Sequence, residues 1–71
     1  VYGMKTIYDI QQLLKSYGTI IYVGHRLSDL QLMEGELIEL YQSQLIDMRD
    51  FQTALLLLRH EIQIENDKQD R

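Results

Sequence analysis

The sequence predicts an all-α fold, a small three-helix bundle without disulfides, and three observations lead there. Apolar residues recur at spacings of three and four over three separate stretches, the pattern that gathers them on one face of a helix. The only β-flavoured stretch, Thr19 to Val23, has no second strand anywhere in the chain to pair with. The connections between the three stretches run to only a few residues, so consecutive helices are expected to pack antiparallel or at a steep angle.

Met4-Lys5-Thr6 reads as a natural start, and Val1, Tyr2 and Gly3 as residues carried over from expression cloning, a native extension being the other reading. Thr6 is suited to cap a helix, because its hydroxyl can accept from an unpaired N–H of the first turn. Asp9 adds negative charge in that turn, where the helix dipole favours it. Ile7, Ile10, Leu13, Leu14 and Tyr17 follow with helical spacing, and Gly18 stands where a helix commonly ends in a left-handed residue. The first helix is thus expected from Ile7 to Tyr17. Thr19 to Val23, bounded by Gly18 and Gly24, is read as an apolar connector or a short helical turn over the end of the core.

A second helix is expected from Arg26 to Ser43, with Leu27, Leu30, Met33, Leu37, Leu40 and Tyr41 on one face and a surface pair between Arg26 and Asp29. Gly35 lies inside it, either a plain weakness on the solvent side of about 1 kcal/mol relative to Ala or a place where another helix comes close. Ser43 to Ile46 makes a turn, and Asp47 caps the third helix, with Asp50 in its first turn.

That third helix, Asp47 to Ile64, is expected to organise the chain. Phe51, Ala54, Leu55, Leu58 and Ile62 share a narrow stripe, while Leu56 and Leu57 point to opposite flanks. A helix apolar most of the way round is packed from several sides, so the leucine run is expected inside, covered by the other helices or by a second copy. After Ile64 no apolar residue follows, which predicts a single domain over residues 4–64 and a solvated tail over 65–71.

Composition narrows the function. The chain has 71 residues, a size at which burial is limited and association often adds stability; with no cysteine, disulfides are excluded and a reducing, cytoplasmic setting is the default. The net charge of −4 argues against bulk attraction to nucleic acid or to an anionic membrane, though not against a local basic patch. No apolar run approaches the ~20 residues of a membrane span.

Chemistry is sparse. His60-Glu61 begins the helical zinc-protease pattern, but the second histidine would stand where Ile64 is, so His60 reads as a solvent-facing residue. Asp29, Glu34, Glu36 and Glu39 read as a solvated acidic face rather than metal ligands, since no Glu-x-x-His occurs. There is no glycine-rich phosphate loop, and Ser28 and Ser43 show no spacing to a histidine that suggests nucleophilic catalysis. No enzyme activity and no cofactor are expected. A helix-turn-helix reading would make the third helix the DNA reader, but Arg49, Gln52, Thr53 and Arg59 are thin for groove recognition. Single strands ask for less: cations for phosphates and aromatic faces for bases. Lys15, Tyr17, Tyr22, His25 and Arg26 cluster around the first connector, the one region where tyrosines interleave with positive charge. The plainer reading is that Tyr17 and Tyr22 sit at the edge of the core with their hydroxyls in water.

Tyr8-Asp9-Ile10-Gln11-Gln12-Leu13-Leu14-Lys15, then Tyr17-Gly18, Tyr22, Gly24, Arg26-Leu27 and Asp29, then Leu32-Met33-Glu34, Glu36, Glu39, Leu40 and Tyr41 resemble the YqgQ-like family of short cytosolic proteins from Gram-positive bacteria. The likeness covers Met4 to Glu61 and is most specific in its first two-thirds. It implies a small helical bundle with no assigned enzymatic activity, for which a role in binding single-stranded nucleic acid has been suggested. The chain departs from the family pattern at His25, where an acidic residue is usual, and at Gln44, where a glycine is usual. The first departure favours a local anion site beside Arg26; the second puts the tight form of the turn before Leu45 in doubt.

Two functional expectations result. One is a single-stranded RNA- or DNA-binding accessory protein, with Lys15, Tyr17, Tyr22 and Arg26 as contacts and Arg59 as a further one. The other is an interaction module that forms a homodimer through Leu56 and Leu57 of the third helix.

Overall fold

The computed structural model describes residues 4–69, which form α1 (Ile7–Ser16), α2 (Arg26–Gln42) and α3 (Met48–Gln69), with no strand among the described residues. Residues 1–3, read above as a cloning remnant, and the last two positions of the expected tail lie outside the described residues.

Helix α1 starts as its sequence dictates. The Asp9 N–H donates to the Thr6 hydroxyl at 3.2 Å, and the Asp9 carboxylate accepts in return from the N–H groups of Thr6 at 3.1 Å and Lys5 at 2.9 Å. These are donors that a helix start otherwise leaves without partners. The Lys5 N–H, aided by both groups of Thr6 and by the Lys5 charge, holds the Asp9 carboxyl below its ordinary value, against a smaller opposing effect of desolvation. At the other end Gly18 takes φ +86°, the Thr19 N–H reaches the Leu14 carbonyl at 3.0 Å and the Gly18 N–H reaches Lys15 at 2.9 Å. This is the Schellman termination, which needs a left-handed residue just past the helix.

Helix α2 ends in the same motif without a glycine. The Leu45 N–H donates to Leu40 and the Gln44 N–H to Tyr41, both at 3.0 Å, with Gln44 at φ +62°. The tight turn is therefore kept, and Gln44 carries the strain that a glycine would avoid, of order 1–2 kcal/mol for a side chain in the left-handed region. Tyr41 and Phe51 stack across this turn with ring centroids 4.2 Å apart. Asp47 caps α3, accepting from the Asp50 N–H at 2.8 Å.

The core corrects the expectation about which helix is central. Leu30, Met33 and Leu37 of α2 are fully buried, together with Ile10 of α1 and Ala54 and Leu58 of α3. In α3 only Ala54 and Leu58 are buried; Leu55 and Leu57 are half-buried against the core, and Leu56 is 72% exposed. The leucine run is thus a one-sided stripe and its outer face meets solvent, whereas α2 contributes a larger share of the buried core than α3, and α1 packs against both α2 and α3. Gly35 is exposed with nothing near the place of a Cβ, so no helix approaches it.

Helix α3 also runs past Ile64, where fraying was expected. The polar turns hold because Gln63 donates to Asp67 at 2.9 Å and Lys68 pairs with Glu65 at 3.2 Å, spacings at which helical side chains meet. Glu65 and Asn66 are half-buried rather than solvated.

Helix α1 is not joined to α2 by a tight antiparallel turn. The Tyr17 hydroxyl donates to the Leu45 carbonyl at 2.9 Å, which places the end of α1 beside the α2–α3 turn. Yet the connector must deliver the chain to His25 at the opposite end of α2, about 25 Å away at 1.5 Å per residue. Residues 18–24 are therefore drawn out along the bundle. Ile21 packs on the core, whereas Ile20 and Tyr22 on either side are 78% and 82% exposed, the alternation of an extended backbone.

Candidate functional site

The connector is held at both ends. Asp29, in the first turn of α2, is buried rather than paired with Arg26 as expected, and its Oδ1 accepts from the Val23 N–H at 2.7 Å. Side chains of a helix lean toward its N-terminus, so a carboxylate in the first turn reaches back over the incoming chain. The position also sets its charge against the positive end of the helix dipole. At the other end, the Thr19 N–H is bound by the Leu14 carbonyl.

His25 stands at the N-cap of α2, with extended dihedrals, and its Nδ1 accepts from the Ser28 N–H at 3.3 Å and lies 3.1 Å from the Ser28 hydroxyl. The imidazole does here what an acidic cap would do, but only while Nδ1 carries no proton.

Between α1 and the connector lies a groove of about 260 Å³. Gln11, Gln12 and Lys15 form its α1 wall, Thr19, Ile20 and Tyr22 its connector wall, and Leu14 and Ile21 its apolar base. Of the five expected nucleic-acid contacts the structure brings Lys15 and Tyr22 together here. Lys15 is exposed, and among the described residues it makes no ion pair. Tyr17 is 43% exposed but its hydroxyl is committed to Leu45, so it braces α1 rather than lining the groove. Arg26 is exposed at the start of α2, past the connector's end, and does not line the groove. Arg59 sits on α3 and pairs with Glu34 through Nε at 3.1 Å, an exposed bridge of the kind worth ~0.2–1 kcal/mol. The candidate dimer residues divide as well: Leu56 is open to solvent and Leu57 leans on the core.

Sequence reasoning did not single out Gln11 and Gln12, whose carboxamides give the groove wall both donors and acceptors. Their adjacency on α1, next to the Lys15 turn, was the available signal. The acidic face of α2 is less uniform than expected, with Asp29 buried, Glu34 paired to Arg59, and Glu36 half-buried. Among the described residues no three histidine, aspartate or glutamate side chains converge as metal ligands do. No helix is long and apolar enough to cross a membrane among the described residues.

Comparison with known proteins gives two matches. Residues 4–64 match the profile of the YqgQ-like family. A protein from Bacillus subtilis (strain 168), named only as uncharacterized protein YqgQ, is 42% identical over 60 residues, which cover 84% of each chain.

Proposed function

The chain belongs to the YqgQ-like family, and on that premise we propose that it is a binding protein without catalytic chemistry, whose ligand is a short single-stranded stretch of nucleic acid. The observation that carries this reading is the meeting of Lys15 and Tyr22 on the two walls of one groove. The Tyr22 ring, 82% exposed, offers a face for base stacking, worth about 1–3 kcal/mol per base. Lys15 supplies a cation for a phosphate, and the Gln11 and Gln12 carboxamides can pair with base edges. Arg26 lies beyond the groove and would extend the contact along the strand. Tyr17 and Arg59, committed elsewhere, are left out of the site.

A labelled oligonucleotide titrated at low salt, followed by fluorescence anisotropy, tests this. Binding should saturate and weaken steeply with added salt, because phosphate neutralisation releases counterions. Lys15→Ala should flatten the salt dependence by roughly one released ion. Absence of a saturable signal at protein concentrations on the order of tens of micromolar rejects the proposal.

A second reading rests on Leu56, exposed at 72% on the outer face of α3. It makes the protein a homodimer through that helix, with Leu57 contributing less because it is already turned to the core. Light scattering decides it: Leu56→Lys should convert a dimer to a monomer, and a wild-type monomer at all accessible concentrations removes the idea.

A further inference from the structure

The extended connector has a polarity that neither reading uses. Along an extended backbone the N–H and C=O groups of alternate residues point to opposite edges. Thr19 and Val23 share one edge, and both of their N–H groups are taken by the protein itself, through Leu14 of α1 and Asp29 of α2. Ile20 and Tyr22 belong to the other edge. Their N–H and C=O groups have no partner among the described residues, and their side chains stand in solvent. Ile21, on the first edge, has no main-chain partner among the described residues either, but its side chain packs on the core and turns that edge inward. What remains open is a short sheet edge with no sheet, pinned at both ends, so little backbone freedom remains to be lost when something pairs with it.

Size and charge decide the occupant. The apolar surface offered there is three side chains, Ile20, Tyr22 and Val23, well short of the roughly 1,000 Å² that a lasting dimer interface needs. That argues for a flexible segment rather than a second folded copy. Lys15 beside the connector and Arg26 just past it form no ion pair among the described residues, and the carboxylate nearby, Asp29, is buried and bonded to the Val23 N–H, so the exposed flanking charge is positive. We propose that the Ile20–Tyr22 edge takes up a short, extended, acidic peptide segment of a partner protein by strand addition. The hydrogen bonds come from the main chain of Ile20 and Tyr22, and the acidic side chains meet Lys15 and Arg26. This use of the connector shares Lys15 and Arg26 with the nucleic-acid reading and differs from it in the main chain, since that reading needs the Tyr22 ring and not its amide.

The test is a titration of the isotope-labelled chain with a blocked hexapeptide of alternating valine and glutamate, followed by amide NMR. Ile20 and Tyr22 amides should shift and gain protection from hydrogen exchange, while Thr19 and Val23, already bonded, change little. Tyr22→Ala keeps the N–H and loses the ring; Tyr22→Pro loses both. The proline variant should bind about tenfold more weakly than the alanine variant, as expected for one main-chain hydrogen bond. Should the proline variant fail to fold, exchange at Ile20 and Tyr22 of the wild-type chain decides alone. No response to peptide on the order of 1 mM overturns the proposal. So does a response confined to groove side chains, equal binding of the lysine-for-glutamate peptide, or protection that grows with protein concentration without peptide, which would make a second copy the occupant. Loss of oligonucleotide binding in Tyr22→Ala with peptide binding retained separates the two ligands.

Discussion

Removing the Asp29 carboxylate should unfasten the connector. Asp29→Ala deletes a buried, charged acceptor and leaves the Val23 N–H without its 2.7 Å partner. Hydrogen bonds to charged groups contribute about 1.5–3 kcal/mol, and the interaction with the helix N-terminus adds about 0.3–1 kcal/mol. Val23 is 60% exposed, so water replaces part of the lost bond, and a net loss of about 2 kcal/mol results. For a chain of this size each kcal/mol moves Tm by about 4–8 °C, so thermal unfolding followed by circular dichroism should show a drop of roughly 8–16 °C. Asp29→Asn retains an acceptor oxygen and should recover at least half of that. Amide exchange at Val23 should quicken in the alanine variant, while exchange at Thr19, held by α1, stays slow. A Tm within about 2 °C of wild type, with Val23 exchange unchanged, would falsify the claim that this carboxylate pins the connector.

Gln44→Gly should stabilise the protein by about 1 kcal/mol, because it relieves the left-handed strain at φ +62° less the extra freedom of glycine in the unfolded chain; urea midpoints measure it, and no gain would mean that the Gln44 side chain contributes something unseen. Gly35→Ala should add about 1 kcal/mol more, since the position is exposed, helical and open around its Cβ; loss of stability would show a contact there. Asp9 contributes stability that is complete above its unfolded value near 3.8 and disappears as pH falls through its lower folded value. Thermal scans of wild type and Asp9→Asn should therefore differ near neutral pH and converge in strong acid, and a constant gap at all pH values contradicts the assignment.

What the sequence made legible was short in range. Thr6, Asp9 and Gly18 declare the limits of α1, and Asp47 the start of α3, because each acts on backbone within four residues of itself. Asp29 was misread because its partner is a main-chain donor on a connector whose path depends on where α1 ends, and that end is fixed by Tyr17 reaching Leu45. The leucine run was over-read for a related reason: four consecutive apolar residues must point around most of a helix, but nothing in the residues says that α2 would occupy only one side of it. The polar end of α3 carries no apolar period, and its side-chain pairs are weak signals one by one. For the site, the interleaving of tyrosine and cation pointed to the first connector, where Lys15 and Tyr22 line one groove. The share of Tyr17 and Arg59 could not be judged without knowing that each had found a partner in the fold.

The long return path between α1 and α2 also sets an order of assembly. The α2–α3 hairpin closes through a turn of a few residues and pairs neighbours in sequence, so it can form early and quickly. Helix α1 reaches its seat only after the chain behind it has been laid along the whole of α2, with Val23 caught by Asp29 and Tyr17 latched at the far turn. Helix α1 is therefore expected to be the last of the three to dock on the core and the first to lift away under stress, which native-state amide exchange of α1 against α2 would read directly.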